Sequence, residues 1–213
     1  MTDLQSERTT VKRLSERAAY DRDTIYAILD EAFVCHVGVV VDDVPIVIPT
    51  LHVRLGDDLI LHGSPASRML RNAKTQQISV TTTLVDGFVL ARSALHHSMN
   101  YRSVVVVGQP EVVPAEEKAS ILDALVERLT PGRLPFLREM TEQEVKATSV
   151  LRMPLTEASA KVRTGPPGDD EEDYDLPIWA GVVPVQTVFG EPETDPAMRM
   201  DVAVPEHVKN FRA

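Results

Sequence analysis

The sequence predicts a mainly β protein with peripheral helices (α+β), arranged as an antiparallel barrel rather than a doubly wound sheet. Three observations carry this expectation. There are six or seven short β-rich runs, turn signals between them at Asp42-Asp43, Gly56-Asp57-Asp58 and Asp86-Gly87, and few segments that qualify as crossover helices. A chain of 213 residues can bury a sizeable core and is read as a single domain over 1–213.

An opening helix is expected from about Asp23 to Glu31, with Asp23 as N-cap and Ile25, Ile28, Leu29 and Ala32 at helical spacing. FVCHVGVVV (33–41) and the alternating Val44, Ile46 and Ile48 form a hairpin about Asp42-Asp43, and LILH (59–62) is a third strand. In GSPASRMLRNAK, Ser64 is the expected cap and Pro65 the first position of a second helix. ISVTTTLV (78–85) and FVLAR (88–92) read as a hairpin about Asp86-Gly87.

A loop, SALHHSMN, then leads into a long strand over 101–113 with Gly108 at a bulge or bend. A helix from Ala115 to Leu129 buries Ile121, Leu122, Leu125, Val126 and Leu129 and stops at Pro131-Gly132. A capping box at Thr141 and Glu144 opens a short helix, and SVLRMPL (149–155) returns as a strand. These elements give a core over 20–155. An extension over 156–213 begins with the acidic stretch GPPGDDEEDYD (165–175), read as an exposed loop, and has no internal repeat.

Composition narrows the function. A net charge of -10 argues against general nucleic-acid binding, which needs a basic face. The charge is uneven: between Leu59 and Pro110 the acidic residue Asp86 stands alone against Arg68, Arg71, Lys74, Arg92 and Arg102, giving +4 there and -14 elsewhere. That zone suits a small anionic ligand, although buried acid-poor strands account for it equally well. No apolar run approaches the roughly 20 residues of a membrane span, and the charged first thirty residues lack the pattern of a secretory signal, so a cytoplasmic location is expected. Cys35 lies in an apolar run, where an inert thiol is expected. His36, His52, His62, His96, His97 and His207 show no helical ligand spacing and no cysteine cluster, so no metal site is expected. His96-His97 can contact a substrate or simply be solvated.

The turn SPASR combines a helix N-terminus, the Ser67 hydroxyl and the Arg68 guanidinium, a set suited to an anion; an ordinary capped helix with a solvated arginine fits the same residues. There is neither a Gly-x-Gly-x-x-Gly dinucleotide signature nor a P-loop, and no catalytic triad or carboxylate pair is identified.

The order PTLHV, LILHGSPASRM and NYRSVVVVGQPEV resembles the flavin-binding split barrels similar to pyridoxamine-phosphate oxidase, including their nitroimidazole-resistance branch. That resemblance implies an antiparallel Greek-key split β-barrel that binds flavin mononucleotide (FMN) between the two subunits of a homodimer. Ser67 and Arg68 match the phosphate-holding turn, while Arg102 and Ser103 match an Arg-Gln-type pair, with serine in place of glutamine. Thr50, Leu51 and His52 fall where the family runs its backbone beside the flavin ring. His62, Gly63 and Ser64 match the turn that follows, and PIWAGVVPV (177–185) matches a late segment whose tryptophan, here Trp179, reaches the partner subunit's flavin. The implied activity is that of an FMN-dependent oxidoreductase on an unknown small molecule, with a reduced nicotinamide as a candidate electron donor. A non-catalytic flavin-binding or storage protein, and relatives that hold haem or a deazaflavin, are the alternatives. The tail lacks the arginine-rich closing motif expected for pyridoxamine phosphate.

Overall fold

The structure, a computed structural model, describes residues 3–211. A two-residue strand β1 (Ala18–Ala19) precedes helix α1 (Arg22–Glu31). The helix is capped by Asp21, whose carboxylate accepts the Thr24 N–H at 2.8 Å, so the cap lies two residues before the expected Asp23. β2 (Val34–Val41) and β3 (Val44–Leu55) form the expected hairpin, and Asp42 and Asp43 both take left-handed φ values of 51° and 62°, as a tight hairpin turn requires. β4 (Asp58–Gly63) leads to α2 (Arg68–Ala73). Its cap is Ser67, not Ser64; Ser64 instead opens the preceding turn, its carbonyl accepting the Ser67 N–H at 2.9 Å.

The segment expected as a hairpin about Asp86-Gly87 is one continuous strand, β5 (Ile78–Leu90). Val85 pairs with Tyr101 and Gly87 with Asn100 on the same neighbouring strand, β6 (Ser98–Gly108), so Asp86 is an inserted bulge residue rather than a reversal. Gly87 serves a close approach: a Cβ there would lie 2.9 Å from Val182 Cγ1 and 3.0 Å from the Val183 carbonyl oxygen. Local turn chemistry suggested a corner where tertiary packing required a glycine.

β7 (Glu111–Val112), α3 (Lys118–Leu129), α4 (Glu142–Lys146) and β8 (Ser149–Pro154) follow. α3 buries Ile121, Leu122 and Leu125, with Val126 and Leu129 half-buried, and the capping box of α4 is formed as expected. β9 (Ala158–Arg163), β10 (Gly181–Pro184) and α5 (Glu206–Lys209) complete the chain. β9 and β10 lie in the extension, where the sequence predicts no strand.

All strand pairs are antiparallel, in the order β1-β9-β6-β5-β2-β3-β4-β8-β7, with β10 added to β5. This is the split barrel: mainly antiparallel β, not closed, with helices at its periphery. β3 makes the split, since its first part pairs with β2 and its last residues, His52 to Leu55, pair with β4. One core fills the barrel with side chains such as Ile25, Val37, Leu61, Val80, Val104 and Met153. A second, around Val53, Ile60, Val113 and Val150, lies beneath α3.

Alternation along the strands leaves the other side of β2, β3, β5 and β6 open. Val34, His36, Val40, Val47, Pro49, Ser79, Thr83, Val85, Phe88, Met99 and Val105 are exposed there, and His36 is the sole ionisable group in that set. The bulge at Asp86 shifts the register, so Phe88, paired with Met99 and with Val183 of β10, continues this outer face.

Candidate functional site

At the barrel's end, three charged groups from distant parts of the chain meet. Glu31 ends α1, Asp86 projects from the bulge of β5, and Arg102 stands on β6 opposite Leu84. The Arg102 Nε–H donates to Asp86 Oδ2 at 3.0 Å, while its second terminal nitrogen donates to Asp86 Oδ1 at 2.8 Å and to Glu31 Oε1 at 2.7 Å. The Arg102 hydrogen bond holds the Glu31 carboxyl below its usual range, and the two carboxylates push the arginine's pKa up. The cluster borders a cleft of about 460 Å³, walled by Phe33, Leu84, Val85 and, from the segment after β10, Gln186, Thr187 and Phe189. Phe189 is held by edge-on contacts to Phe33 and Phe211, with ring centroids 6.1 Å and 5.2 Å apart.

The strand register divides the residues expected to hold a cofactor. Leu51 pairs with outward-facing Val34, and Ser103 with outward-facing Thr83. His62 has the opposite parity to Leu61 of the barrel core, so all three lie on the outer side. Thr50 pairs with buried Cys35, and His52 and Arg102 also lie on the barrel side. Adjacent Arg102 and Ser103 therefore face opposite ways.

His52 is fully buried between β3 and α1, with Nε2 3.1 Å from the Leu29 carbonyl oxygen and Nδ1 without a partner. Burial pushes the pKa of both His52 and His62 down. Gly63, Ser64, Ser67 and Arg68 follow on one turn: the Ser64 hydroxyl accepts the Ala66 N–H at 3.2 Å and that of Ser67 the Leu70 N–H at 3.4 Å. Arg68 is exposed, and among the described residues its guanidinium makes no hydrogen bond or ion pair. Trp179 is 68% exposed just before β10, its ring lying against Gly181.

The acidic stretch is mostly exposed and is anchored to the barrel through Asp169. The Asp169 side chain is shielded from solvent and accepts both the backbone N–H and the guanidinium of Arg92 at 2.9 Å, and Arg92 lies over the Tyr174 ring. His96 Nδ1 lies 3.7 Å from Asp169, while the His97 ring bonds to the Ser93 carbonyl. His96, Asp169 and Asp173 converge, but Asp169 is already committed to Arg92. Cys35 is buried and burial pushes its thiol up to about 12, the inert state expected.

A family model described as pyridoxamine 5'-phosphate oxidase matches residues 21–162. The chain belongs to that family. Its structure is similar to the flavocytochrome Anf3 from Azotobacter vinelandii, with 43% identity, a TM-score of 0.94 and 99% of each chain covered. It is also similar to the FAD and heme binding protein from Mycobacterium smegmatis, with 35% identity, a TM-score of 0.88 and 91% and 96% of the two chains covered. A candidate 5-nitroimidazole antibiotic resistance protein from Bacteroides thetaiotaomicron shares 25% identity over 68% of this chain and 86% of its own, at a TM-score of 0.56. No curated protein matches the chain by sequence. The family match ends before β10 and the segment that walls the cleft, whereas the flavocytochrome match includes them.

Sequence reasoning missed Glu31, Phe33, Asp86 and Phe189 as site residues. One signal was present: Asp86 is the lone acid of the cationic middle segment. The others are brought in by long-range packing and carry no local mark.

Proposed function

We propose that the chain binds a flavin nucleotide on its outer face, between two copies of itself, with the phosphate held at the Ser67-Arg68 turn. The observation that carries this is the uncommitted guanidinium of Arg68, on the turn that follows His62 and Gly63. An exposed sheet face of this size with His36 as its ionisable group is the composition of an interface rather than of a solvated surface. Leu51, His62 and Ser103 share that side and would border the ring, and Trp179 would reach across from the other copy. Thr50 and His52 support the strand from behind. Arg102 remains with its two carboxylates and is not assigned to the phosphate.

The bound flavin supplies hydride and electron transfer; the chain's residues bind it, orient it and exclude water. On this reading the protein is an oxidoreductase of a small molecule, and turnover faster than that of free flavin separates it from a storage protein. FMN is the smallest ligand that satisfies the site. The 35% identity to an FAD and heme binding protein favours FAD as a second reading, and the same likeness favours a haem in addition. The imidazole offered to a haem is His62, half-buried on the outer side with Nδ1 unpartnered.

The test is the absorption spectrum of the purified protein, followed by calorimetric titration with FMN and with FAD. Flavin bands and saturable binding of either nucleotide are expected, and a Soret band reports the haem. A well-folded chain that binds neither nucleotide overturns the proposal.

A further inference from the structure

The cleft beside Arg102 lies at the barrel's end, with Arg102 and Leu84 reaching it from the barrel side and Val85 from the outer side, and it shares no lining residue with the proposed flavin site. Its charge balance is unusual for a pocket that contains an arginine. Two carboxylates oppose one guanidinium, leaving a net charge of -1 at the rim. The arginine's Nε and both terminal nitrogens are directed at Asp86 and Glu31, while each carboxylate oxygen keeps acceptor capacity. The Glu31 side chain is 53% exposed, so the excess negative charge is open to the cleft. An entering anion would meet both carboxylates and find most of the arginine's donors already engaged. A cation would find acceptors already held in place, in a protein whose own net charge of -10 also attracts it.

The remaining walls fix the rest of the ligand. Phe33, Leu84 and Phe189 present apolar surface, and Gln186 and Thr187 add neutral polar groups, in a cleft of about 460 Å³ that admits a single ring-sized molecule. We propose that this cleft binds a small apolar or aromatic molecule bearing a protonated amine or amidine, with the cationic nitrogen on Glu31 and Asp86 and the ring against Phe33 and Phe189. The site does not depend on the flavin reading. Arg102 acts within it as a positioning residue, holding the two acceptors side by side.

The test uses the protein as purified and three probes of one size and different charge, benzylamine, benzyl alcohol and benzoate, titrated by calorimetry at low ionic strength. Benzylamine is expected to saturate and to bind at least about tenfold more tightly than the other two, the scale of one charge-assisted hydrogen bond. The near-isosteric Glu31→Gln and Asp86→Asn variants should each weaken benzylamine, and the double variant should abolish its preference over benzyl alcohol. Arg102→Gln, which leaves both carboxylates uncompensated, should not create binding of benzoate. Benzoate binding as tight as benzylamine, no saturable benzylamine binding, or an unchanged affinity in the double variant overturns the proposal. Flavin absorbance, read on the same samples, reports on the outer face, so loss of the flavin site and loss of the cleft are distinguishable.

Discussion

Asp86 meets Arg102 because β5 carries one residue more than β6 at that point. Leu84 pairs with Arg102, Val85 with Tyr101 and Gly87 with Asn100, and the extra residue, Asp86, turns its carboxylate to 3.0 Å from the Arg102 Nε. The bulge thus aims a carboxylate at the barrel mouth and keeps Phe88 on the outer face.

Arg102→Gln should destabilise the fold most near neutral pH, because it leaves Glu31 and Asp86 facing each other without a counter-charge. Glu31 is held below its usual range in the native protein, so its contribution is complete above the ordinary carboxylate pKa and is lost as pH falls through the lowered folded value. The stability gap between wild type and variant should therefore shrink toward about pH 4, as Glu31 begins to protonate. Urea unfolding across this range checks it; a gap independent of pH rejects it.

Gly87→Ala should loosen β10 from β5, since the added Cβ would come within 3.0 Å of Val182 and of the Val183 backbone. Overpacking of this kind costs roughly 1–3 kcal/mol. Thermal unfolding and limited proteolysis after residue 180 would show it as a lower midpoint and faster loss of the C-terminal segment.

Stability should fall on acidification below about pH 6.5. Burial lowers the folded pKa of His52 and of His62, so in this window the unfolded chain takes up protons that the native one refuses. His52→Gln should flatten the slope between about pH 7 and pH 5, measured as denaturation midpoint against pH. An unaltered slope would remove His52 as a cause.

A charge placed on the outer face should separate the copies. Val105→Lys puts an ammonium on that face, where pairing with a second copy would desolvate it. Size-exclusion chromatography with light scattering is expected to give the monomer mass and flavin absorbance is expected to be lost with it. A dimer that persists with its flavin shows that the contact lies elsewhere.

Arg68→Ala should weaken flavin mononucleotide at least about tenfold, the worth of a charge-assisted contact to phosphate. The unfolding midpoint should hardly move, because the exposed Arg68 guanidinium has no partner among the described residues. Riboflavin, which lacks the phosphate, should lose nothing. Equal losses for both ligands would point to a disturbed turn.

Local chemistry made much of the fold legible. Alternation in Val44, Ile46 and Ile48, the paired aspartates at 42 and 43 and the Thr141–Glu144 box each act within a few residues, and each appears where expected. The Asp86-Gly87 signal misled because a hairpin turn and a strand crowded by a neighbour both favour glycine, and the distinction depends on β10, nearly a hundred residues later. β9 was missed because ASAKVR, although it alternates apolar and polar residues, is short and built mostly from alanine, serine and lysine rather than from the β-branched and aromatic residues that mark a strand.

By itself the sequence determined the fold class, the Ser67-Arg68 turn and the family to which the chain belongs, because these rest on local propensities and on the order of short motifs. Only the tertiary structure decided which of those residues work together. A strand exposes successive side chains on opposite sides, so Arg102 was separated from Ser103 and from the outer face. Long-range packing then gave it Glu31, 71 positions away, and Asp86 from the neighbouring strand. Charge compensation at the barrel mouth depends on distances in space, which no spacing along the chain records.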